Sequence, residues 1–135
     1  MSRLIRLSEA TALGLHAMAQ VARSSGETVS SESLADALSA SRAHLSKVLK
    51  TLCAAGLLTS KRGPNGGYAL ARPASSISLL AIYEALQGPI RLDGCLFDEP
   101  ICDGAHCVLG DLVERVRGEV FEYLDATTLE DVASD

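Results

Sequence analysis

The feature that most restricts this chain's fold is Gly63-Pro64-Asn65-Gly66-Gly67, five consecutive residues that punctuate backbone, set between two short apolar stretches. No helix continues through such a run. Leu57-Leu58-Thr59-Ser60 before it and Tyr68-Ala69-Leu70-Ala71 after it have the length and composition of strands, so the segment predicts a β-hairpin with Lys61 and Arg62 near its tip. Asn65-Gly66 is expected to supply the positive φ angles of the turn. A phosphate-cradling loop would need a helix start directly after the glycines, and Tyr68-Ala69-Leu70 reads as strand instead. Elsewhere the chain is aliphatic: Leu and Ala supply 40 of its 64 apolar residues and the aromatics five, which favours helices over a β-sandwich. At 135 residues it has room for one core. The predicted class is mainly α with a small β-hairpin.

The uncharged run from Ala10 to Ala22 is thirteen residues long, shorter than the roughly 18 a membrane span requires. Thr11, Leu15, Met18 and Ala22 recur at helical spacing, so it reads as an amphipathic first helix rather than a secretory signal, and the location expected is cytoplasmic. After a Ser24-Ser25-Gly26 break, Ser30 or Ser31 can cap a second helix, with Glu32 in its first turn and Leu34, Ala35 and Leu38 inward. Ser39-Ala40 makes a tight turn. Ser41 caps a third helix whose Leu45, Val48, Leu49 and Leu52 fall at i, i+3, i+4 and i+7, ending at Gly56.

Opposite that stripe lie Ala43, Lys47 and Lys50, flanked by His44, Ser46 and Thr51. A face of cations and hydroxyls around a small residue suits the major groove of DNA, and the hairpin's cations suit the phosphate backbone, with Arg62 able to enter a minor groove. The predicted unit is a winged helix-turn-helix, and its candidate DNA contacts are Ser41, Arg42, His44, Ser46, Lys47, Lys50, Lys61, Arg62 and Asn65. Charge agrees: residues 1–72 hold nine Lys/Arg against four acids, residues 73–135 three against thirteen, so the net −5 conceals a basic half at +5 and an acidic half at −10. The partner expected is a double-stranded DNA operator. No nucleophile–base pairing or cofactor fingerprint points to an enzyme or a small-molecule substrate.

In the acidic half Ser78 caps a fourth helix with Leu79, Ile82 and Leu86 on one side, stopped by Gly88-Pro89. A loop from Arg91 to His106 follows. It carries Cys95 and Cys102, with Cys107 just beyond, at C-x6-C-x4-C, shaped by Gly94, Pro100 and Gly104. In a reducing compartment three clustered thiols read as metal or redox ligands rather than as a disulfide framework. Iron-sulfur cluster, zinc and bare thiol switch all stay open, though zinc sites usually show closer cysteine pairs than these. Asp98, Glu99 and Asp103 form no calcium-loop pattern and read as solvated acids. Cys53, beside Leu52, reads as a small buried hydrophobe.

Leu109, Leu112, Val113, Val116, Val120 and Leu124 mark an apolar stripe, with Asp111, Glu114, Arg115, Arg117, Glu119 and Glu122 largely on other faces. Such a helix needs a partner, and a two-fold homodimer that sets two recognition helices on a pseudo-palindromic site supplies one. Thr127-Thr128-Leu129-Glu130 fits a capping box. The organisation expected is a DNA-binding region over 1–90, a cysteine loop over 91–107, and a dimerisation helix with a C-terminal turn over 108–135, within one compact domain.

Arg62-Gly63-Pro64-Asn65-Gly66-Gly67-Tyr68, together with the Leu7-Ser8 helix start, Ala74-Ser75-Ser76-Ile77 and the closing Thr127-Thr128-Leu129-Glu130-Asp131-Val132, resembles the Rrf-two (Rrf2) family of bacterial winged-helix regulators, which has IscR-like and NsrR-like iron-sulfur members. The resemblance implies a homodimeric transcription regulator sensing redox, iron or nitric oxide status through a [2Fe-2S] or [4Fe-4S] cluster on Cys95, Cys102 and Cys107. Family members with clusters use C-x5-C-x5-C, so the middle cysteine here is shifted by one residue. For a fourth ligand, IscR-like relatives place a His where this chain has Gly110, NsrR-like relatives a partner-subunit carboxylate where it has Ala12, and others a first-helix His, matched here by His16. Glu9, His106 and an exogenous group are further candidates. The alternative is a zinc-binding or thiol-redox regulator or adaptor without a cluster.

Overall fold

A computed structural model describes residues 4–24, 26–97, 99–103 and 106–133. The readings of Ser25 as part of a break, Asp98 as a solvated acid and Gly104 as a loop-shaping residue lie outside the described residues. Among the described residues, six helices and one hairpin run in the order α1 (Glu9–Arg23), α2 (Ser31–Leu38), α3 (Arg42–Ala54), β1 (Leu58–Lys61), β2 (Gly67–Leu70), α4 (Leu79–Gln87), α5 (Leu112–Ala126) and α6 (Leu129–Ala133), with a 3₁₀ turn over Ala74–Ser76.

Serine sets the first four helix starts. The side chains of Ser8, Ser30, Ser41 and Ser78 accept hydrogen bonds from the backbone N–H groups of Thr11, Ser33, His44 and Ala81, satisfying donors that a helix start leaves open. At α6 the box is reciprocal but one residue later than expected: Asp131 N–H donates to Thr128 Oγ1 and Thr128 N–H to Asp131 Oδ2. The reason is that Ser78 and Thr128 form a β-bridge, with Leu79 N–H donating to Thr127 O and Leu129 N–H to Ile77 O, so Thr127 is held in extended backbone before the cap.

α1 lies against α2, α3, α4, α6 and β2. Its buried residues are Thr11, Gly14, Ala17, Met18 and Val21, so the inward face is rotated toward small residues, with Leu15 and Ala22 of the expected stripe half-buried at its margins. Small residues matter here because a Cβ on Gly14 would sit 2.2 Å from Leu86 Cδ1 and 3.3 Å from Val48 Cγ1. The predicted α3 stripe is buried in full, and Met18, Leu34, Leu45, Leu49, Leu52, Ile77, Ile82 and Leu129 are each at most 1% exposed. Each such side chain contributes about 1.5–3 kcal/mol of apolar burial.

β1 and β2 pair antiparallel with Leu58 opposite Leu70 and Lys61 opposite Gly67. The tip corrects the expected turn. Positive φ falls on Gly63 (110°) and Gly67 (149°), not on Asn65-Gly66. Gly66 is required for space, since a Cβ there would lie 2.1 Å from Lys61 O. On its other edge β2 exchanges two 2.8 Å backbone bonds with Val29, between Val29 N–H and Tyr68 O and between Tyr68 N–H and Val29 O.

α5 packs against α4. Val113 is buried, while Val116, Val120 and Leu124 are half-buried. Arg117 corrects the expected polar face: it is 3% exposed. Leu109 and Leu112 of the same stripe are 39% and 40% exposed, and Leu92, Phe97, Ile101, Val108 and Tyr123 are more so.

Candidate nucleic-acid interface and thiol loop

The turn between α2 and α3 is made by Ser39 in left-handed backbone (φ 51°, ψ 42°), the only non-glycine positive φ among the described residues. It sends α3 across the domain with Leu45, Val48, Leu49 and Leu52 inward, so helical periodicity leaves Ser41, Arg42, Lys47 and Lys50 exposed and His44 and Ser46 half-exposed. Ser41 caps the helix, and Arg42 pairs with Glu32 at 3.4 Å on open surface, a contact worth little in water. Lys61, Arg62 and Asn65 are exposed on the wing, and Asn65 O accepts from Thr28 Oγ1 at 3.0 Å. One groove between α2, α3 and the hairpin is lined by Ser30, Ser31, Lys50, Lys61, Arg62 and the tip glycines. It gathers three cations beside hydroxyls and bare backbone, a surface suited to a polyanion. Cys53 borders the same groove half-buried, and desolvation pushes its thiol above its ordinary pKa.

The thiol loop is anchored at one end. Cys95 and Cys107 are half-buried and Cys102 is exposed. Among the described residues no three His, Cys, Asp or Glu side chains are gathered where they could hold a metal ion. Cys95 Sγ accepts from Phe97 N–H at 3.4 Å. Arg91 donates to Asp93 Oδ2 at 2.5 Å, and His106 faces Asp103 at 3.7 Å on open surface. No described residue of this loop lines the cleft that holds His16. Its Nδ1 lies 2.7 Å from Ala12 O, and it lines a cleft with Glu9, Ala37 to Ser41 and His44.

Sequence reasoning missed Arg117. From α5 its Nε donates to Leu4 O at 2.9 Å, and its Nη1 donates to Asp93 O and Oδ1 at 2.9 Å and to Cys95 O at 2.6 Å. A buried guanidinium is tolerated only when its donors are met in this way. The readable signal was its spacing, because 113, 117, 120 and 124 lie on one helix face. The segment it grips is tied twice more: Tyr83 Oη donates to Arg6 O, and Gln87 Oε1 accepts from Ser8 N–H (3.1 Å) and Thr11 Oγ1 (2.6 Å). Burial pushes the Tyr83 phenol above its ordinary pKa, with the Arg6 charge opposing.

The sequence profile of the Rrf2 family, described as iron-dependent transcriptional regulators, matches residues 7–135. The chain belongs to the Rrf2 family. Among Rrf2 relatives, the HTH-type transcriptional regulator CymR of Bacillus subtilis is 35% identical over 131 residues, spanning 96% of this chain and 91% of that protein. The solved structure of CymR, the global cysteine regulator of B. subtilis, superposes with a TM-score of 0.81 at 34% identity, over 97% of this chain and 99% of that one. T. potens IscR superposes with a TM-score of 0.72 at 31% identity, over 94% and 85%. This Rrf2 chain is a DNA-binding transcriptional regulator with a winged-helix fold, and its relatives are regulators rather than enzymes. No helix among its described residues is long and apolar enough to cross a membrane.

Proposed function

We propose that the chain is a homodimeric regulator that reads a pseudo-palindromic operator and responds to redox, iron or nitric oxide status through Cys95, Cys102 and Cys107. α3 enters a major groove with Ser41, Arg42, His44, Ser46, Lys47 and Lys50, while Lys61, Arg62 and Asn65 of the wing meet the adjacent backbone. The observation that carries this reading is the groove in which Lys50, Lys61 and Arg62 converge. Residues 1–90 form the DNA-reading region, 91–107 the sensing loop, and α5 with the C-terminal turn the dimer element. The exposed apolar side chains from Leu92 to Tyr123 support a second copy packing on this side.

Three soft thiolates within thirteen residues fit an iron-sulfur cluster by donor chemistry, of either nuclearity, and Cys95, Cys102 and Cys107 would hold it. When bound, such a cluster supplies an oxidisable centre whose damage frees the thiols. His16 completes the set only if the loop of a second copy reaches its cleft. Change in the loop alters the spacing of two winged domains, and a coupling of about 1–3 kcal/mol changes operator affinity roughly 5- to 150-fold.

A second reading is zinc or a bare thiol switch on the same residues, and the bare thiol is the form consistent with the described residues, among which no three His, Cys, Asp or Glu side chains are gathered where they could hold a metal ion. Anaerobic purification separates the two. Iron and sulfide that vanish on replacing the three cysteines by alanine support the cluster, and stoichiometric zinc without iron defeats it.

A further inference from the structure

Arg117 makes more bonds out of its helix than packing requires. Its guanidinium joins two stretches far apart in sequence, the Leu4 carbonyl and the Asp93–Cys95 turn. Both ends are mechanically informative. On the loop side, the thiol of Cys95 accepts from Phe97 N–H, so the same residue offers its sulfur to the loop and its carbonyl to Arg117. A group bound to that sulfur would compete for the lone pair that accepts from Phe97 N–H, in the turn that presents the carbonyl. On the other side, Leu4 begins the strap held by Tyr83 and Gln87, and Gln87 receives both Ser8 N–H and Thr11 Oγ1 at the start of α1. α1 in turn packs on α3 through the close approach at Gly14.

We propose that Arg117 is a positioning residue that ties the backbone at Cys95 to the strap leading into α1, so that a change at the Cys95 thiol reaches the helix on which α3 rests. This deepens the proposed function and rests on residues 91–107 being the sensing loop. Arg suits the task because its planar fork serves acceptors in different directions at once, whereas lysine's ammonium is a single point on a flexible stem. Contiguous bonds alone do not establish coupling, so the test is a double-mutant cycle.

The cycle uses full-length wild type, Arg117→Lys, Cys95→Ala and the double variant, all reduced and treated with a chelator so that no metal contributes. The readout is hydrogen exchange at the amides of Ser8, Thr11 and Ala12. Arg117→Lys should accelerate exchange there roughly ten- to hundredfold, the change expected when a charge-assisted bond is lost. Cys95→Ala should accelerate it roughly two- to tenfold in wild type and no further in the Arg117→Lys background. Unchanged exchange in Arg117→Lys, or effects of the two substitutions that multiply independently, overturns the proposal. Should Arg117→Lys fail to fold, Asp93→Ala replaces it in the cycle; it removes only the carboxylate partner of Arg117 and leaves the carbonyl partners, so the expected acceleration is smaller, and effects of Asp93→Ala and Cys95→Ala that multiply independently overturn the proposal. Operator affinity with the loop loaded and stripped separates the two ideas. Coupled exchange with equal affinities keeps the tie and defeats the sensing reading; affinities that differ without coupled exchange do the reverse.

Discussion

Replacing Gly66 by alanine tests whether the wing's shape, and not only its charge, serves DNA binding. The added Cβ would sit 2.1 Å from Lys61 O, 2.9 Å from the Arg62 carbonyl carbon and 2.9 Å from Gly63 O. All three are backbone atoms, so no rotamer change relieves the contact. Against an optimum of about 3.5 Å, the tip must open by about 1 Å or more. Opening strains the 2.9 Å bond from Gly66 N–H to Gly63 O that closes the turn. Overpacking costs about 1–3 kcal/mol and the lost bond about 1 kcal/mol, but the wing is peripheral, so the global loss is limited to what the hairpin itself contributes. The melting temperature should fall by less than about 10 °C. Operator binding should weaken about 10- to 100-fold, and the salt slope should flatten by about 1–2 as Lys61 and Arg62 lose the phosphate contacts proposed for them. Fluorescence anisotropy on an operator duplex at several salt concentrations measures both. Binding within twofold of wild type at an unchanged slope would refute the reasoning.

Lys47→Ala should weaken binding by about tenfold with unchanged melting, measured by the same titration. Leu49→Ala, at a fully buried α3 position, should cost about 2–5 kcal/mol in urea denaturation. Ser39→Gly should raise the melting temperature by about 2 °C, because relief of left-handed backbone, worth about 1 kcal/mol, exceeds the added unfolded-state entropy. Cys53 and Tyr83 both have pKa values raised by burial, so the folded chain holds their protons longer than the unfolded one. Stability should therefore decline as pH climbs through 9 and beyond, and a flat denaturation midpoint from pH 8 to 11 would contradict this.

The DNA-reading half was legible because each of its elements follows a local rule. The α3 stripe obeys helical period, Ser30, Ser41 and Ser78 cap where hydroxyls precede apolar runs, and the glycine cluster admits only a turn. The details that escaped were set by distant partners. The approach of Val29 to Gly67 lies outside any local pattern, and the α6 cap shifted because Thr128 pairs with Ser78 while Thr127 O accepts from Leu79 N–H. Arg117 was assigned to a polar face by residue type, while its spacing placed it inward, and its acceptors on residues 4, 93 and 95 are invisible to any local pattern. The three cysteines are read as a donor set from their chemistry alone; no three metal-ligating side chains are gathered among the described residues.

The two bonds between Val29 and Tyr68 change what the wing costs to use. An isolated two-stranded hairpin is marginal in water, but here a third backbone segment, one residue before the Ser30 cap of α2, is stitched to its outer edge. The ordering entropy of the hairpin is thus met when the chain folds, leaving little to lose when it meets a duplex. On the proposed reading, wing and recognition helix engage a duplex as one preorganised body, and Val29→Pro, which removes one of the two backbone bonds to Tyr68, should weaken operator binding although Val29 is not among the proposed contacts.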